Sequence, residues 1–126
     1  MYPPERYRLE EYIDMSNEVV LCASNAYNRK YYLNEACKGL PEAVKEELQI
    51  MCVLYTEDVG GILELYYDEE GNLEFRTTCE DGDFFYDEIG SVLKIKKYCN
   101  EKRDLLESLE TYYRIVFLGE GWEEEE

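Results

Sequence analysis

The sequence of 126 residues contains no histidine. Histidine is the side chain whose charge changes near neutral pH, and it is the usual base that activates a serine or cysteine nucleophile. Its absence excludes Ser-His and Cys-His catalytic pairs and every metal site that needs an imidazole ligand. A phosphate-binding loop is missing too, because the Gly60-Gly61 pair lacks the Walker spacing and its lysine. We therefore expect no catalytic residue and no cofactor.

Positive charge is scarce, since 13 basic residues stand against 30 acidic ones and the net charge is -17. Such a surface repels phosphate backbones and anionic lipid headgroups, so we expect no nucleic-acid partner and no membrane partner. Long apolar runs are also absent; the longest, Ile50 to Tyr55, is far shorter than a membrane span. The first residues, Met-Tyr-Pro-Pro-Glu-Arg, lack the apolar stretch of a signal peptide. These observations predict a cytoplasmic location.

The five cysteines are odd in number, widely spaced and without a Cys-x-x-Cys pair. This pattern differs from that of a disulfide framework or a zinc site. We expect all of them to be reduced, to pack as small apolar residues, and to need no metal for folding. They are Cys22, Cys37, Cys52, Cys79 and Cys99.

The remaining pattern predicts one α+β domain over residues 1–119 and an acidic tail at 120–126. Short hairpin turns join neighbouring strands, so we expect a five-stranded, mainly antiparallel sheet with helices on both faces, in the order α-β-β-α-β-β-β-α. The predicted helices are at 3–14, from 41 to the Gly60-Gly61 pair, and at 91–118. The predicted strands are at 18–23, 30–34, 62–67, 73–79 and 84–86.

The last predicted helix has apolar residues at alternating spacings of three and four, from Ile95 to Val116. This spacing fits a coiled-coil seam, and it equally fits a helix that lies on the sheet with the stem of Lys102 reaching to solvent. We favour the helix on the sheet, because a sheet needs covering helices.

The predicted order of elements resembles that of roadblock and longin domains, which belong to the profilin-like class. In those domains two helices cover one face of the sheet and a third covers the other. The resemblance extends over nearly the whole chain, and it implies a homodimer that serves as a platform for small GTPases or related regulators.

Several short stretches of the chain look like one particular family. They are Leu40-Pro41-Glu42, Glu46-Glu47-Leu48, Met51-Cys52-Val53-Leu54, Val59-Gly60-Gly61 and Tyr86-Asp87-Glu88-Ile89-Gly90-Ser91. The resemblance is to a family of small acidic bacterial proteins of unknown function. Because that family has no assigned activity, the resemblance implies no catalytic residues.

The helix that starts at residue 41 carries apolar side chains on two sides. One stripe suits a sheet, and Ile50, Val53 and Leu54 lie on the opposite side. One sheet covers only one of the two sides, so we expect these three residues to form a homodimer interface. The alternative is that the first or the last predicted helix covers this side within one chain. We place the strand 62–67 at the sheet edge and expect Ile62 and Tyr66 to join that interface.

Two charged clusters are further candidates. The acidic turn Glu80-Asp81-Gly82-Asp83, together with Asp87 and Glu88 after it, offers oxygen ligands for Ca²⁺ or Mg²⁺. The spacing is not that of an EF-hand, and we favour a solvated turn followed by acids at the start of a helix. The single basic patch either docks an acidic partner or pairs with acids of the same chain, and we favour pairing. Its members are Lys94, Lys96, Lys97, Lys102 and Arg103.

These observations leave three classes of function open. We favour a non-catalytic adaptor or regulatory module that acts through contacts with a protein partner. The alternative is a sensor that binds a small ligand between sheet and helix, and an enzyme ranks third. A flat apolar patch on the second predicted helix would favour the adaptor, whereas a large cavity with converging polar groups would favour the sensor.

Overall fold

The computed structural model describes residues 18–119. The predicted first helix and the acidic tail lie outside the described residues. The strands are β1 (Val19–Asn25), β2 (Lys30–Leu33), β3 (Ile62–Tyr67) and β4 (Leu73–Thr78). The helices are α1 (Glu42–Val59), α2 (Glu88–Glu101) and α3 (Arg103–Val116), and a short 3-10 turn spans Glu35–Cys37.

The four strands form one antiparallel sheet in the spatial order β2-β1-β3-β4. β1–β2 and β3–β4 are hairpins, and the pairing of β1 with β3 joins them. In the β3–β4 hairpin the Asp68 carboxylate accepts hydrogen bonds from the Glu70 and Asn72 amides, both at 2.9 Å, and Gly71 supplies a φ of 89°. The mixed α+β class is confirmed, but the prediction of five strands is wrong.

The predicted fifth strand, residues 84–86, is a turn. Phe-Phe-Tyr has high β propensity, yet side chains on both sides of it bond to the backbone. Asp83 accepts a hydrogen bond from the Phe85 amide at 3.0 Å, and Asp87 caps the next helix by accepting from the Gly90 amide at 2.8 Å. These two local bonds hold the segment in a turn and start a helix directly after it.

The predicted helix at 91–118 is two helices, and the first of them begins earlier, at Glu88. The backbone bends at Lys102, where φ is -108° and ψ is 26°. Hydrogen bonds continue across the bend, from the Lys102 amide to Tyr98 O at 2.8 Å and from the Leu106 amide to Lys102 O at 2.9 Å. The eight-element order is therefore wrong; the described residues have the order β-β-α-β-β-α-α, apart from the 3-10 turn.

The core lies between the sheet and the helices. Leu63, Leu65 and Tyr67 alternate along β3 and are fully buried in one cluster with α1 and α3. The Tyr67 hydroxyl donates to Leu109 O at 2.9 Å, and its ring stacks on Tyr113 with 4.0 Å between ring centres. Each buried side chain of this size contributes about 1.5–3 kcal/mol. α3 therefore lies on the sheet, and the prediction of a sheet-covering helix is confirmed for residues 103–116.

The opposite face of the sheet carries a charged network. Ile62, Glu64 and Tyr66 point to this face of β3 and are half-buried. Arg76 on β4 contacts Glu64 at 2.9 Å and Glu18 at 3.0 Å, and its guanidinium lies 4.2 Å from the centre of the Tyr66 ring. Within residues 18–119 the helices pack on the first face, and the predicted helix at 3–14, which the prediction of helices on both faces includes, lies outside the described residues.

Candidate interaction surface

The turn at residues 80–87 joins β4 to α2 and is fixed by hydrogen bonds to two other segments. The hydroxyl of Tyr27, from the β1–β2 hairpin, accepts from the Glu80 amide at 2.9 Å and donates to the Asp83 carboxylate. The Asp87 amide donates to Val59 O at 3.1 Å. The hydrogen bonds from Tyr27 and from the Phe85 amide lower the pKa of Asp83, so this carboxylate is ionised at neutral pH.

Ser91 ties the start of α2 to α1. Its hydroxyl shares a hydrogen bond with the Tyr55 hydroxyl and receives one from Tyr86 at 3.2 Å. Burial raises the pKa of Tyr55 to about 12, so its hydroxyl stays protonated. The Tyr86 ring packs tightly beside Gly61, since a Cβ there would lie 2.8 Å from Tyr86 Cε1.

Polar contacts along their length show that α1 and α2 are antiparallel neighbours. Lys94 forms an ion pair with Asp58 near the end of α1. At the other end of the helix pair, Lys102 lies 3.2 Å from Glu47. The hydrogen bond with Asp58 raises the pKa of Lys94, which keeps the ion pair intact over the physiological range.

A group of large apolar side chains is exposed on this helix pair. Phe84 and Phe85 in the 80–87 turn are 93% and 95% exposed. Two residues one turn apart on α1 and three at helical spacing on α2 are each more than half exposed. We call the whole group the outer apolar face; it consists of Ile50, Leu54, Phe84, Phe85, Ile89, Val92 and Leu93.

The helical positions place α1 and α2 members of this group on one side of the molecule. Ile50 is on the side of α1 opposite the fully buried Cys52. Ile89 and Leu93 are on the side of α2 opposite the buried Ser91. Because α1 and α2 pack side by side against the core, both outward sides belong to the surface that faces away from the sheet.

The structure separates the residues that the sequence assigned to one interface. Ile50 and Leu54 are exposed on α1, but Val53 is half-buried and lines a cleft. Ile62 and Tyr66 lie on the far face of the sheet, away from α1. β3 is also an interior strand between β1 and β4, so placing it at the sheet edge was wrong.

The basic patch is partly paired within the chain. Lys94 and Lys102 contact Asp58 and Glu47, so the interpretation as local pairing is confirmed for these two. The other members are exposed and form no ion pair with a described residue. They are Lys96, Lys97 and Arg103.

The acidic turn offers no assembled metal site. Asp83 accepts from Tyr27 and from the Phe85 amide, so its oxygens already have donors. Between Glu18 and Gly119, no three cysteine or acidic side chains are grouped so that they could hold a metal ion. No helix in the same range has the length and apolarity needed to cross a bilayer.

A cleft of about 760 Å³ lies between the β1–β2 hairpin and α1. Tyr31 and Ser24 line it from the sheet, Val53 and Thr56 from α1, and Phe85 from the 80–87 turn. The Ser24 and Thr56 hydroxyls are 2.8 Å apart and share a hydrogen bond across the two walls. This hydrogen bond joins the sheet wall of the cleft to the α1 wall.

Beside the cleft lies a group of buried thiols. The Tyr31 hydroxyl is buried near the Cys22 thiol and has no hydrogen-bond partner of ordinary geometry within the described residues. The sulfur atoms of Cys22 and Cys52 are 3.8 Å apart. A hydrogen bond with Cys22, together with burial, raises the pKa of Cys52, and burial raises the pKa of Tyr31. Both groups are therefore neutral and unreactive in the folded chain.

A family model matches residues 18–121, most of the chain. Its description is a family of unknown function, DUF6145. The chain belongs to this family. No curated protein and no solved structure gives a significant match. The DUF6145 match spans β1 to α3, so the outer apolar face and the cleft both lie within the family's shared region. The resemblance to a family without an assigned activity is confirmed.

Most of the outer apolar face of this DUF6145 chain was missed by sequence reasoning. Phe84 and Phe85 were assigned to a strand, and the three α2 positions received no role. A signal was present in the helical spacing, because Ile89 and Leu93 fall opposite the stripe that contains Ser91. An apolar residue opposite the core-facing stripe of a helix is the pattern that revealed Ile50 on α1.

Proposed function

We propose that this DUF6145 domain is a non-catalytic adaptor or regulatory module that binds a protein partner through the outer apolar face. The proposal depends above all on Phe84 and Phe85, which are 93% and 95% exposed on a turn that hydrogen bonds hold in place. Contiguous exposed apolar groups of this size mark interaction sites in soluble proteins.

The exposed area supports a docking surface. A phenylalanine covers about 150–250 Å² when buried, so these two leave on the order of 300–500 Å² of apolar surface in water. This already approaches the largest patch on a typical monomer, about 300–600 Å². Ile89, Val92 and Leu93 add further exposed apolar side chains on α2. Because the turn is pre-formed, a partner meets little ordering cost on binding.

The chemistry of the chain supports a non-catalytic role. Histidine is absent, and the strongly shifted pKa values belong to core tyrosines and cysteines such as Tyr67 and Cys37. The small-GTPase partner implied by the roadblock resemblance loses its support, because the sheet of residues 18–119 has four strands instead of five. A cytoplasmic location fits the free thiols of Cys22 and Cys52, which lie near each other without a disulfide bond.

The test is the double variant Phe84→Ser/Phe85→Ser. Both side chains are almost fully exposed, so the free energy of unfolding should change by less than about 0.5 kcal/mol. Partner binding should weaken strongly, because each buried phenylalanine contributes about 1.5–3 kcal/mol, or together about 10²–10⁴-fold in Kd.

The measurement is quantitative mass spectrometry of proteins that co-purify with each variant, followed by titration of the purified partner. Val116→Ser is the matched control, because Val116 is more than half exposed on α3 outside the outer apolar face. A partner that binds the double variant as tightly as the unchanged chain contradicts the proposal.

A small-ligand sensor is the second function that a specific feature favours. The cleft of about 760 Å³ lies within the range of small-molecule sites, about 300–1,000 Å³. The buried Tyr31 hydroxyl has no ordinary hydrogen-bond partner among the described residues, so a ligand could supply one. Metabolite screening by thermal shift tests this function. The shift should disappear in Val53→Trp, which fills the cleft, and should persist in Ile50→Trp on the exposed side of α1.

A further inference from the structure

The exposed side of α2 changes chemical character along its length. It begins with acids, the N-cap Asp87 and Glu88 in the first turn. The apolar residues Ile89, Val92 and Leu93 follow. The next turn carries two exposed lysines, Lys96 and Lys97. The helix therefore presents an apolar centre with an acidic flank on one side and a basic flank on the other.

Among residues 18–119, Lys96 and Lys97 form no ion pair, as is also the case for Arg103. Lys94 and Lys102 form ion pairs with α1, whereas Lys96 and Lys97 contact no acid among residues 18–119. Lys96 and Lys97 adjoin the exposed apolar residues of α2, in a chain with 30 acidic residues. They are free to pair with acids of another molecule.

We infer that the partner of the outer apolar face is a second copy of this chain, paired through α2 in antiparallel orientation. The inference rests on the proposed function, and it identifies the protein that binds the outer apolar face. The apolar group centres near position 91, and Lys96 and Lys97 lie five to six residues beyond it, or about 8 Å along the axis. Asp87 and Glu88 lie three to four residues before it, or about 5 Å.

A two-fold axis near position 91 therefore lets the basic and the acidic flank of each α2 pair with opposite charges at the same time. The apolar centre of one α2 meets that of the other, and each pair of lysines meets the acidic start of the opposite helix. A parallel pair would place acids against acids and lysines against lysines, which is unfavourable. The same charge order thus selects the antiparallel arrangement.

The available area suits such a dimer. Phe84 and Phe85 of two copies supply on the order of 600–1,000 Å² of apolar surface. The apolar residues on α2 bring the total towards the size of stable interfaces, about 1,200–2,000 Å². The net charge of -17 opposes association of two copies. The lysine–acid contacts offset this repulsion locally. Their charges can be reversed by mutation on either side of the interface, which makes them testable.

The experiment is a charge exchange measured by light scattering and sedimentation on the full chain over a concentration series. The first variant is Lys96→Glu/Lys97→Glu. The second is Asp87→Asn/Glu88→Lys, in which asparagine keeps the helix cap. Each variant alone should lose at least about a hundredfold in dimer affinity, because like charges face each other at both flanks.

An equimolar mixture of the two variants should restore the dimer. In the mixed pair the native lysines face native acids at one flank, and the introduced glutamates face the introduced lysine at the other. Restoration also shows that both variants fold. Lys30→Glu/Lys38→Glu changes the net charge as much as the first variant does, at exposed sites outside α2. It should leave the dimer affinity within about threefold, as expected of exposed surface charges.

A wild-type chain that stays monomeric at every concentration overturns the inference, as does a mixture that stays monomeric. Neither result removes the proposed function by itself. If Phe84→Ser/Phe85→Ser still abolishes binding of a different protein, the outer apolar face is a docking site whose partner is not a second copy. If that variant changes neither self-association nor partner binding, both the inference and the proposed function fail.

Discussion

Replacing Gly61 with alanine tests the contact that holds the 80–87 turn against the sheet. Gly61 has a φ of 72°, a left-handed conformation that costs alanine about 1–2 kcal/mol. The new Cβ would lie 2.6 Å from Thr78 O and 2.8 Å from Tyr86 Cε1. Thr78 O belongs to the backbone of β4, so the Tyr86 ring and the strand must both shift.

The size of the effect follows from three contributions. Backbone strain costs about 1–2 kcal/mol, overpacking about 1–3 kcal/mol, and loss of the hydrogen bond from Tyr86 to Ser91 about 1 kcal/mol. We expect the free energy of unfolding of Gly61→Ala to fall by about 3–6 kcal/mol, which lowers Tm by well over 10 °C in a domain of this size, at about 4–8 °C per kcal/mol. Urea unfolding and calorimetry measure it.

Gly82→Ala provides the matched control. Gly82 has a similar φ of 79°, but nothing lies within 4 Å of its Cβ position. It should therefore lose only the backbone contribution, about 1–2 kcal/mol. The difference between the two variants isolates the close contact with Tyr86 and Thr78. Equal destabilisation of the two variants would refute the tight packing of Tyr86 on Gly61.

Two further predictions concern thiol and tyrosine chemistry. Two thiols should react quickly with a coloured thiol reagent in the folded chain and three only after unfolding, because Cys79 and Cys99 are exposed whereas Cys22, Cys37 and Cys52 are buried; a third fast thiol contradicts this. Burial raises the pKa of the tyrosines at 31, 55 and 67, that of Tyr55 to about 12. A tyrosine whose pKa is raised by folding stabilises the folded chain fully below the unfolded pKa of about 10, and this stabilisation is lost as the pH rises through the folded pKa. The free energy of unfolding should therefore fall above about pH 10. Absorbance of tyrosinate should then rise together with unfolding, and complete ionisation in a chain that remains folded would contradict the burial.

The sequence correctly predicts β3 and the end of α1, whose positions depend on neighbouring residues alone. Leu63, Leu65 and Tyr67 alternate with more polar neighbours, and β3 occupies the predicted residues 62–67. The Gly60-Gly61 pair ends α1 as expected, with Gly60 at the C-cap and a φ of 88°. These positions are set by side-chain period and by the conformational freedom of glycine, which the sequence displays directly.

The wrong predictions have two causes: hydrogen bonds that override the intrinsic propensity of a segment, and pairing between strands that are far apart in the sequence. The β propensity of Phe84 and Phe85 is overridden by the Asp83 and Asp87 side chains, which bond to the local backbone. The sequence at the Lys102 bend contains no proline or glycine that would predict a break, and the apolar spacing of the helix continues through the bend.

The residues predicted to share one interface are separated in the structure for a different reason. Ile50 on α1 was placed correctly because its exposure follows from one helix alone. Ile62 and Tyr66 were misplaced because their surroundings depend on β3 pairing with β1 across more than thirty residues. Strand order is decided by the packing of the whole sheet, and no single segment contains it.

Phe85 belongs to two surfaces, the wall of the cleft and the outer apolar face. The Tyr27 hydroxyl also connects the hairpin beside the cleft to the turn that carries Phe85. A small molecule in the cleft and a protein on the outer face would therefore compete for, or cooperate through, one side chain. Thermodynamic linkage makes this relation reciprocal: the factor by which the first changes the affinity of the second is the factor by which the second changes the first. The two candidate functions would then be coupled equilibria within a single domain.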